Sequence, residues 1–304
     1  MSMMDEIKIA IRKGNILYRL IFINVAVFFV LGLLKVFMRL FIPGMSLVEL
    51  RYAFDTDVMK YLMIPSVPGE LLHRPWTLVT YMFSHTNLWH ILFNMLVLYW
   101  FGQIFLQYLT AKQLLTNYIL GGLAGALLYI VFVNSFPGLR QYLGGSMLGA
   151  SASIMAIVLA IAVYVPNYTL NLLFIGPVKL KYIAMAFVAI DVLMIASENA
   201  GGNIAHLGGA AYGYFFISRF KKGIDIGNWL NKLIDKVASL FKPRPKLNVT
   251  YRKPARHVSD EEFNRQKIAQ QKEIDRILDK IAKAGYESLT KSEKETLFKM
   301  SNKN

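Results

Sequence analysis

The chain has 304 residues, 55% of them hydrophobic and 17% charged, with a mean hydropathy of +0.40. A soluble domain of this size carries about 25% charged residues, so the composition speaks against an ordinary cytosolic enzyme. The absence of cysteine excludes a disulfide framework, thiolate–zinc sites, a cysteine nucleophile and lipidated cysteines.

Net charge is +15, and residues 220–304 hold 20 Lys/Arg against 11 Asp/Glu, more than half of that excess. The pattern is an apolar body with a soluble basic tail. Beside membrane spans, the expected partner of such charge is an anionic lipid face and not nucleic acid.

Charge gaps locate the spans, since a spanning helix needs about 20 mostly apolar residues. Residues 1–15 are a short N-terminal segment. Residues 20–34 are uncharged and bounded by Arg19 and Lys35, whose stems can snorkel to the interface. Lys8, Arg12 and Lys13 precede them, as in a signal peptide, but no small-residue cleavage site follows, so a true span is expected. The connection 42–75 is long and apolar with scattered charge, which suits short helices lying in the interface.

No Asp, Glu, Lys or Arg occurs between Arg74 and Lys112, between Lys112 and Arg140, or between Arg140 and Lys179. These gaps predict spans near 85–105, 114–136 and 148–165, the last closed by Pro166-Asn167. Residues 182–197, interrupted by Asp191, form a fifth span, and 199–218, rich in small residues, a sixth. With the N-terminus inside, twelve Lys/Arg flank the spans on the inner side against six on the outer. The expectation is an all-α membrane protein with a six-helix core over 16–220. It would be multi-pass in the cell (inner) membrane with both termini cytoplasmic.

The tail starts with an amphipathic stretch, 224–241, in which Ile226, Trp229, Leu230, Leu233, Ile234 and Val237 recur at helical spacing. With the basic, proline-containing linker that follows, it fills 221–257. Two capping boxes, Ser259 with Glu262 and Thr290 with Glu293, then open helices of a small hairpin over 258–304 that turns near Gly285. Nothing there has a catalytic arrangement, and the hairpin is expected to serve an unidentified partner.

Polar side chains inside a bilayer are costly and form the default list of functional candidates. They are His85, His90 and Asn94 in the second span, Ser151 and Ser153 in the fourth, and His206 in the sixth. In the assigned topology these three spans run the same way, and each candidate lies near the outer end of its span. His90 and Asn94, four apart, share a helix face. Ser151 opens a helix, where free backbone N–H groups can serve an oxyanion. Gly209 and Gly213 follow His206 at the spacing that lets helices approach closely. A histidine base beside a serine is the usual means of activating a hydroxyl nucleophile. The histidine spacing lacks the HExxH pattern, so neither a metal nor another cofactor is expected.

Arg74-Pro75-Trp76-Thr77-Leu78-Val79-Thr80, then His85-xxxx-His90-xxx-Asn94, Gly149-x-Ser151 and Ala205-His206-xx-Gly209-xxx-Gly213 resemble the rhomboid family of intramembrane serine proteases. The resemblance covers about 15–220 and leaves out the tail, although similar tails occur on some bacterial members. It implies one compact six-helix bundle with a water-accessible cavity. By position, Ser151 resembles the nucleophile and His206 the general base of a dyad. His90 and Asn94 resemble the oxyanion-stabilising side chains, and His85 a histidine that packs or anchors a loop.

Two positions depart from the family pattern: Ala152 stands where Gly is usual, and Met155 where an aromatic residue is common. Asp191 has no counterpart in that pattern. The favoured expectation is a carboxyl group bonded to a neighbouring helix, and the other is a third member that orients His206. Two functions follow. One is an endopeptidase that cleaves transmembrane protein segments with a Ser–His dyad and no cofactor. The alternative is a catalytically weak or inactive rhomboid-like protein that binds membrane clients.

Overall fold

The structure is a computed structural model, and it describes residues 15–172, 175–241 and 260–301. The chain divides into two compact units, Met1–Lys242 and Pro243–Asn304. The N-terminal segment 1–14 and the linker at 242–259, with the expected Ser259 cap, lie outside the described residues.

The first unit is a bundle of six helices: α1 (Ile16–Phe41), α5 (Leu88–Tyr108), α6 (Ala111–Ser135), α7 (Ser151–Tyr164), α8 (Leu180–Leu193) and α9 (Ala200–Phe220). The connection after α1 contributes α2 (Leu47–Asp57), α3 (Pro68–His73) and α4 (Thr77–Thr80). Among the described residues, α1, α5 and α6 are long and apolar enough to cross a membrane by length and composition. The other three differ in how they are built. Helix α7 is short and apolar on every side, and Ile154, Ile157, Val158 and Ile161 are all buried, so it forms the bundle's centre. Helix α9 reaches it through glycines. Helix α8 buries Ile183, Ala184 and Asp191 on one face and exposes Met185, Ile190 and Leu193 on others. The outer surface of α1 is equally apolar, with Phe22, Phe29, Leu33 and Phe37 exposed, as a lipid-facing helix requires.

Two short pairings refine the expected spans. Strand β1 (Ile64–Pro65) pairs antiparallel with β2 (Ser146–Met147), Ile64 opposite Met147 and Pro65 opposite Ser146. The chain is extended there, so α7 starts at Ser151 and not near residue 148. Strands β3 (Thr169–Leu172) and β4 (Gly176–Lys179) form a hairpin between α7 and α8. It lies inside a charge gap, and its own signal is the period-2 alternation Thr169-Leu170-Asn171-Leu172, exposed at the polar residues and half-buried at the leucines.

Buried polar groups tie the bundle together. Asn24 of α1 donates to the Tyr118 hydroxyl of α6 (3.1 Å), which donates to the Met82 carbonyl (2.8 Å). The Tyr81 hydroxyl donates to the Gly122 carbonyl of α6 (2.5 Å). These bonds fix the segment before α5 against the bundle, and each satisfies a group that would be costly unpaired in lipid. After α9 comes α10 (Asn228–Phe241), attached to α6 through Thr116, whose hydroxyl donates to Asn231 (2.9 Å), and through Lys112 and Asp235 (2.6 Å).

The second unit is a hairpin of α11 (Asp260–Ala284) and α12 (Lys291–Ser301), turning at Gly285 with φ of +79°. The Thr290 amide donates to the Glu293 carboxylate (2.8 Å), and Lys280 and Arg276 of α11 reach the same group at 2.9 and 3.1 Å. Thus the cap of α12 also joins the two helices.

Candidate active site

The loop before α7 is held from two sides. The Gly149 amide donates to the Tyr81 carbonyl (2.9 Å), and the Ala150 amide points at His85 Nε2 (3.4 Å). His85 is buried and lies edge-on to His90, with ring centroids 5.1 Å apart. Gly149 has φ of +121°, a conformation that disfavours any side chain. A Cβ there would also lie 2.7 Å from the His90 ring and 3.8 Å from Ser151 Oγ. Glycine at 149 therefore both turns the chain into α7 and leaves His90 room beside the serine.

Helix α9 comes against α7 at backbone distance. A Cβ on Gly209 would lie 1.9 Å from the Ala152 carbonyl oxygen, and one on Gly213 would lie 2.1 Å from that of Ala156. This approach carries His206, one turn earlier, to Ser151: His206 Nε2 is 2.6 Å from Ser151 Oγ. On the ring's other side, Nδ1 is 2.7 Å from Asp191 Oδ1 of α8, whose side chain is 9% exposed. With a carboxylate as acceptor at Nδ1, the matching neutral tautomer is Nδ1–H, which leaves the Nε2 lone pair for the hydroxyl. That tautomer is the one a base needs.

A cavity of about 320 Å³ is lined by Ser151, His206, Asp191, His90 and Asn94 together. Asn94 uses one amide hydrogen on the His90 carbonyl of its own helix (2.8 Å) and keeps a second. The first-turn N–H groups of α7 have no acceptor within the helix. Ser153, the other serine in this span, is buried against α6, where its hydroxyl lies 2.6 Å from the position of a Cβ on Gly122. Met155 lines the cavity, and Ala152 fills the notch at Gly125 of α6, where a Cβ would lie 2.6 Å from its methyl.

The structure thus brings Ser151, His206, His90 and Asn94 into one site. Asp191 sits on the base itself, the arrangement ranked second from sequence. Sequence reasoning missed Tyr81, and it overlooked Asn24, Asn117 and Asn203 as polar residues within spans. Asn203 donates to the Met194 carbonyl (2.6 Å) and so ties the end of α8 to α9. Asparagine in an apolar run was the signal available.

Residues 72–222 match the rhomboid domain, and residues 259–303 match a family of unknown function, DUF6576. The chain belongs to the rhomboid family. The rhomboid match begins after α1 and α2. RHOMBOID-like protein 12, mitochondrial, of Arabidopsis thaliana is 32% identical over 180 residues, 56% of this chain and 54% of that protein. Presenilin-associated rhomboid-like protein A, mitochondrial, of Danio rerio is 29% identical over 179 residues, 58% of this chain and 42% of that protein. The human presenilin-associated rhomboid-like protein, mitochondrial, is 25% identical over 180 residues, 58% and 43% of the two chains. The chain spans about half the length of the curated relatives it matches.

These relatives are named as mitochondrial, which overturns the expectation of a cell inner membrane with cytoplasmic termini. The physical reason for the error is plain. Lys/Arg asymmetry reports which side of a membrane a loop occupies, and carries nothing about which membrane it is.

Proposed function

We propose that this rhomboid protein is an intramembrane serine endopeptidase acting on transmembrane segments of other proteins. The observation that carries the reading is the 2.6 Å contact between Ser151 Oγ and His206 Nε2 inside a cavity. In the reaction, Ser151 Oγ bonds to the substrate's amide carbon while its proton passes to His206 Nε2. The carbonyl π pair moves onto oxygen, and the Ser151 N–H, the second Asn94 hydrogen and His90 donate to that oxygen on this reading. Collapse returns the pair, breaks the C–N bond and gives the Nε2 proton to the leaving amine. Water then repeats the sequence on the acyl-enzyme, with His206 again the base. A helix must unwind to offer its amide, so substrates are expected to carry helix-breaking small residues near the cut.

A second reading has its own support. The relatives are named rhomboid-like, and none of those names states an activity. On that reading the same cavity and α8 face retain membrane-protein clients without cutting them. Incubating the purified full chain with a tagged model transmembrane substrate separates the two. Cleavage lost in Ser151→Ala and His206→Ala, with thermal stability unchanged, supports the peptidase. Client co-purification without any cleavage product supports the binding protein.

A further inference from the structure

Among the described residues, the Asp191 carboxylate bonds to His206. Asp191 lies in the last turn of α8, on the face that also buries Ile183 and Ala184, eight and seven residues earlier. A charged group at membrane depth costs several kcal/mol unless it is paired. Asp191 has a single described hydrogen-bonding partner, His206 Nδ1 at 2.7 Å. If the position served only to close α8 on α9, an apolar residue would do so without that cost. Asn203 already ties the two elements through the Met194 carbonyl.

We propose that Asp191 is a positioning residue that makes the Ser151–His206 pair a triad. It holds the imidazole in the Nδ1–H tautomer, fixes the ring plane toward Ser151, and stabilises the imidazolium formed when Nε2 takes the serine proton. The inference rests on the peptidase reading for its kinetic part and on geometry alone for its tautomer part. Without Asp191, nothing in the described contacts chooses between the two neutral tautomers, and the Nε2–H form cannot accept the hydroxyl proton. Because α8 supplies the carboxylate and α9 the base, displacing the end of α8 also removes the orienting group. Activity is thereby linked to the position of one cavity-lining helix.

The test uses the full chain in detergent, as wild type, Asp191→Asn, Asp191→Glu, Asp191→Ala and Ser151→Ala. Two readouts are taken. The first is the kcat and KM of cleavage of a model transmembrane substrate. The second is the ¹⁵N and ¹H spectrum of labelled histidine, with His206 assigned from His206→Gln. Asp191→Asn is expected to lose roughly 10²- to 10⁴-fold in kcat with little change in KM, the range set by removing an orienting carboxylate in a serine triad. Asp191→Glu, which keeps the charge but not the shape, is expected to retain more activity than Asp191→Asn, which keeps the shape but not the charge. A merely structural role predicts the reverse order.

Wild type and Ser151→Ala should show a downfield Nδ1 proton on His206 that Asp191→Asn and Asp191→Ala lack. An Nε2–H tautomer in the wild type overturns the proposal without any variant, as does an Asp191→Asn protein equal to wild type in both readouts. If wild type cleaves nothing, the peptidase reading fails, while the tautomer spectra still decide whether Asp191 orients His206.

Discussion

Replacing Gly209 by alanine should separate the base from the nucleophile without altering either. The added Cβ would lie 1.9 Å from the Ala152 carbonyl oxygen, whereas ordinary contact begins near 3.4 Å. The obstacle is backbone within a buried helix, so no rotamer change relieves it, and α9 must move off α7 by about 1.5 Å. Overpacking of this kind costs roughly 1–3 kcal/mol. The functional loss is larger in proportion, since a 1 Å misplacement can cost about 10²-fold in rate. The 2.6 Å Ser151–His206 contact would open to roughly 4 Å, beyond hydrogen-bond reach. Thermal unfolding of the full chain gives the first quantity, and cleavage of a model transmembrane substrate the second. Gly32→Ala on α1 is the control, because a Cβ there meets nothing within 4 Å, and it should leave both unchanged or slightly raise stability. A Gly209→Ala protein with wild-type stability and turnover would refute the reasoning.

Ala152→Gly should lower stability by about 1–2 kcal/mol, from the lost methyl at the Gly125 notch and the added backbone freedom, with cleavage equal or lower. A large rate gain at unchanged thermal stability would contradict it. Deleting residues 258–304 should leave cleavage of a short model substrate nearly intact, and a folded truncation that cannot cut it would show that the tail takes part in the reaction. Within the hairpin, the Thr290 amide first, then Lys280 and the Thr290 hydroxyl, hold the Glu293 carboxyl down to about 2. A depressed carboxyl contributes stability above its unfolded value and loses it on protonation, so hairpin amide signals should broaden or shift as pH falls from about 4.5 toward 2. Glu293→Gln should weaken that dependence and leave the part due to Glu273, whose carboxyl the Arg276 hydrogen bond also holds down, and an unchanged titration in the variant would exclude the Glu293 carboxylate as its source.

The sequence was most informative where physics acts locally. Charge gaps found the first four core helices and apolar or small-residue runs the other two, because bilayer cost applies residue by residue, and the capping pair Thr290–Glu293 marked the start of α12 within one residue. His90 and Asn94 declared their shared face by spacing alone. What stayed hidden depends on three-dimensional approach. The depth of Asp191 was estimated from helix rise, but its direction needed the crossing of α8 and α9, which no spacing encodes. The anchoring of the Gly149 loop by Tyr81 uses a backbone carbonyl, and any residue type at 81 supplies one. The β3–β4 hairpin and the start of α7 were missed for a common reason. Both lie inside charge gaps, and absence of charge does not register the local signals there: the Thr169–Leu172 alternation and the glycines at 144, 145 and 149. Ala152 is the opposite case: it departs from the family pattern, and the notch at Gly125 accounts for its methyl.

The central claim is that Ser151 is a nucleophile activated by His206. The most direct test treats the purified full chain with a fluorophosphonate probe and maps the modified residue by mass spectrometry, since such probes react with activated serines and leave unactivated hydroxyls untouched. The account predicts labelling at Ser151 that is absent in Ser151→Ala and strongly slowed in His206→Ala. Labelling that persists in Ser151→Ala, or a folded wild-type protein that the probe does not modify, would contradict it.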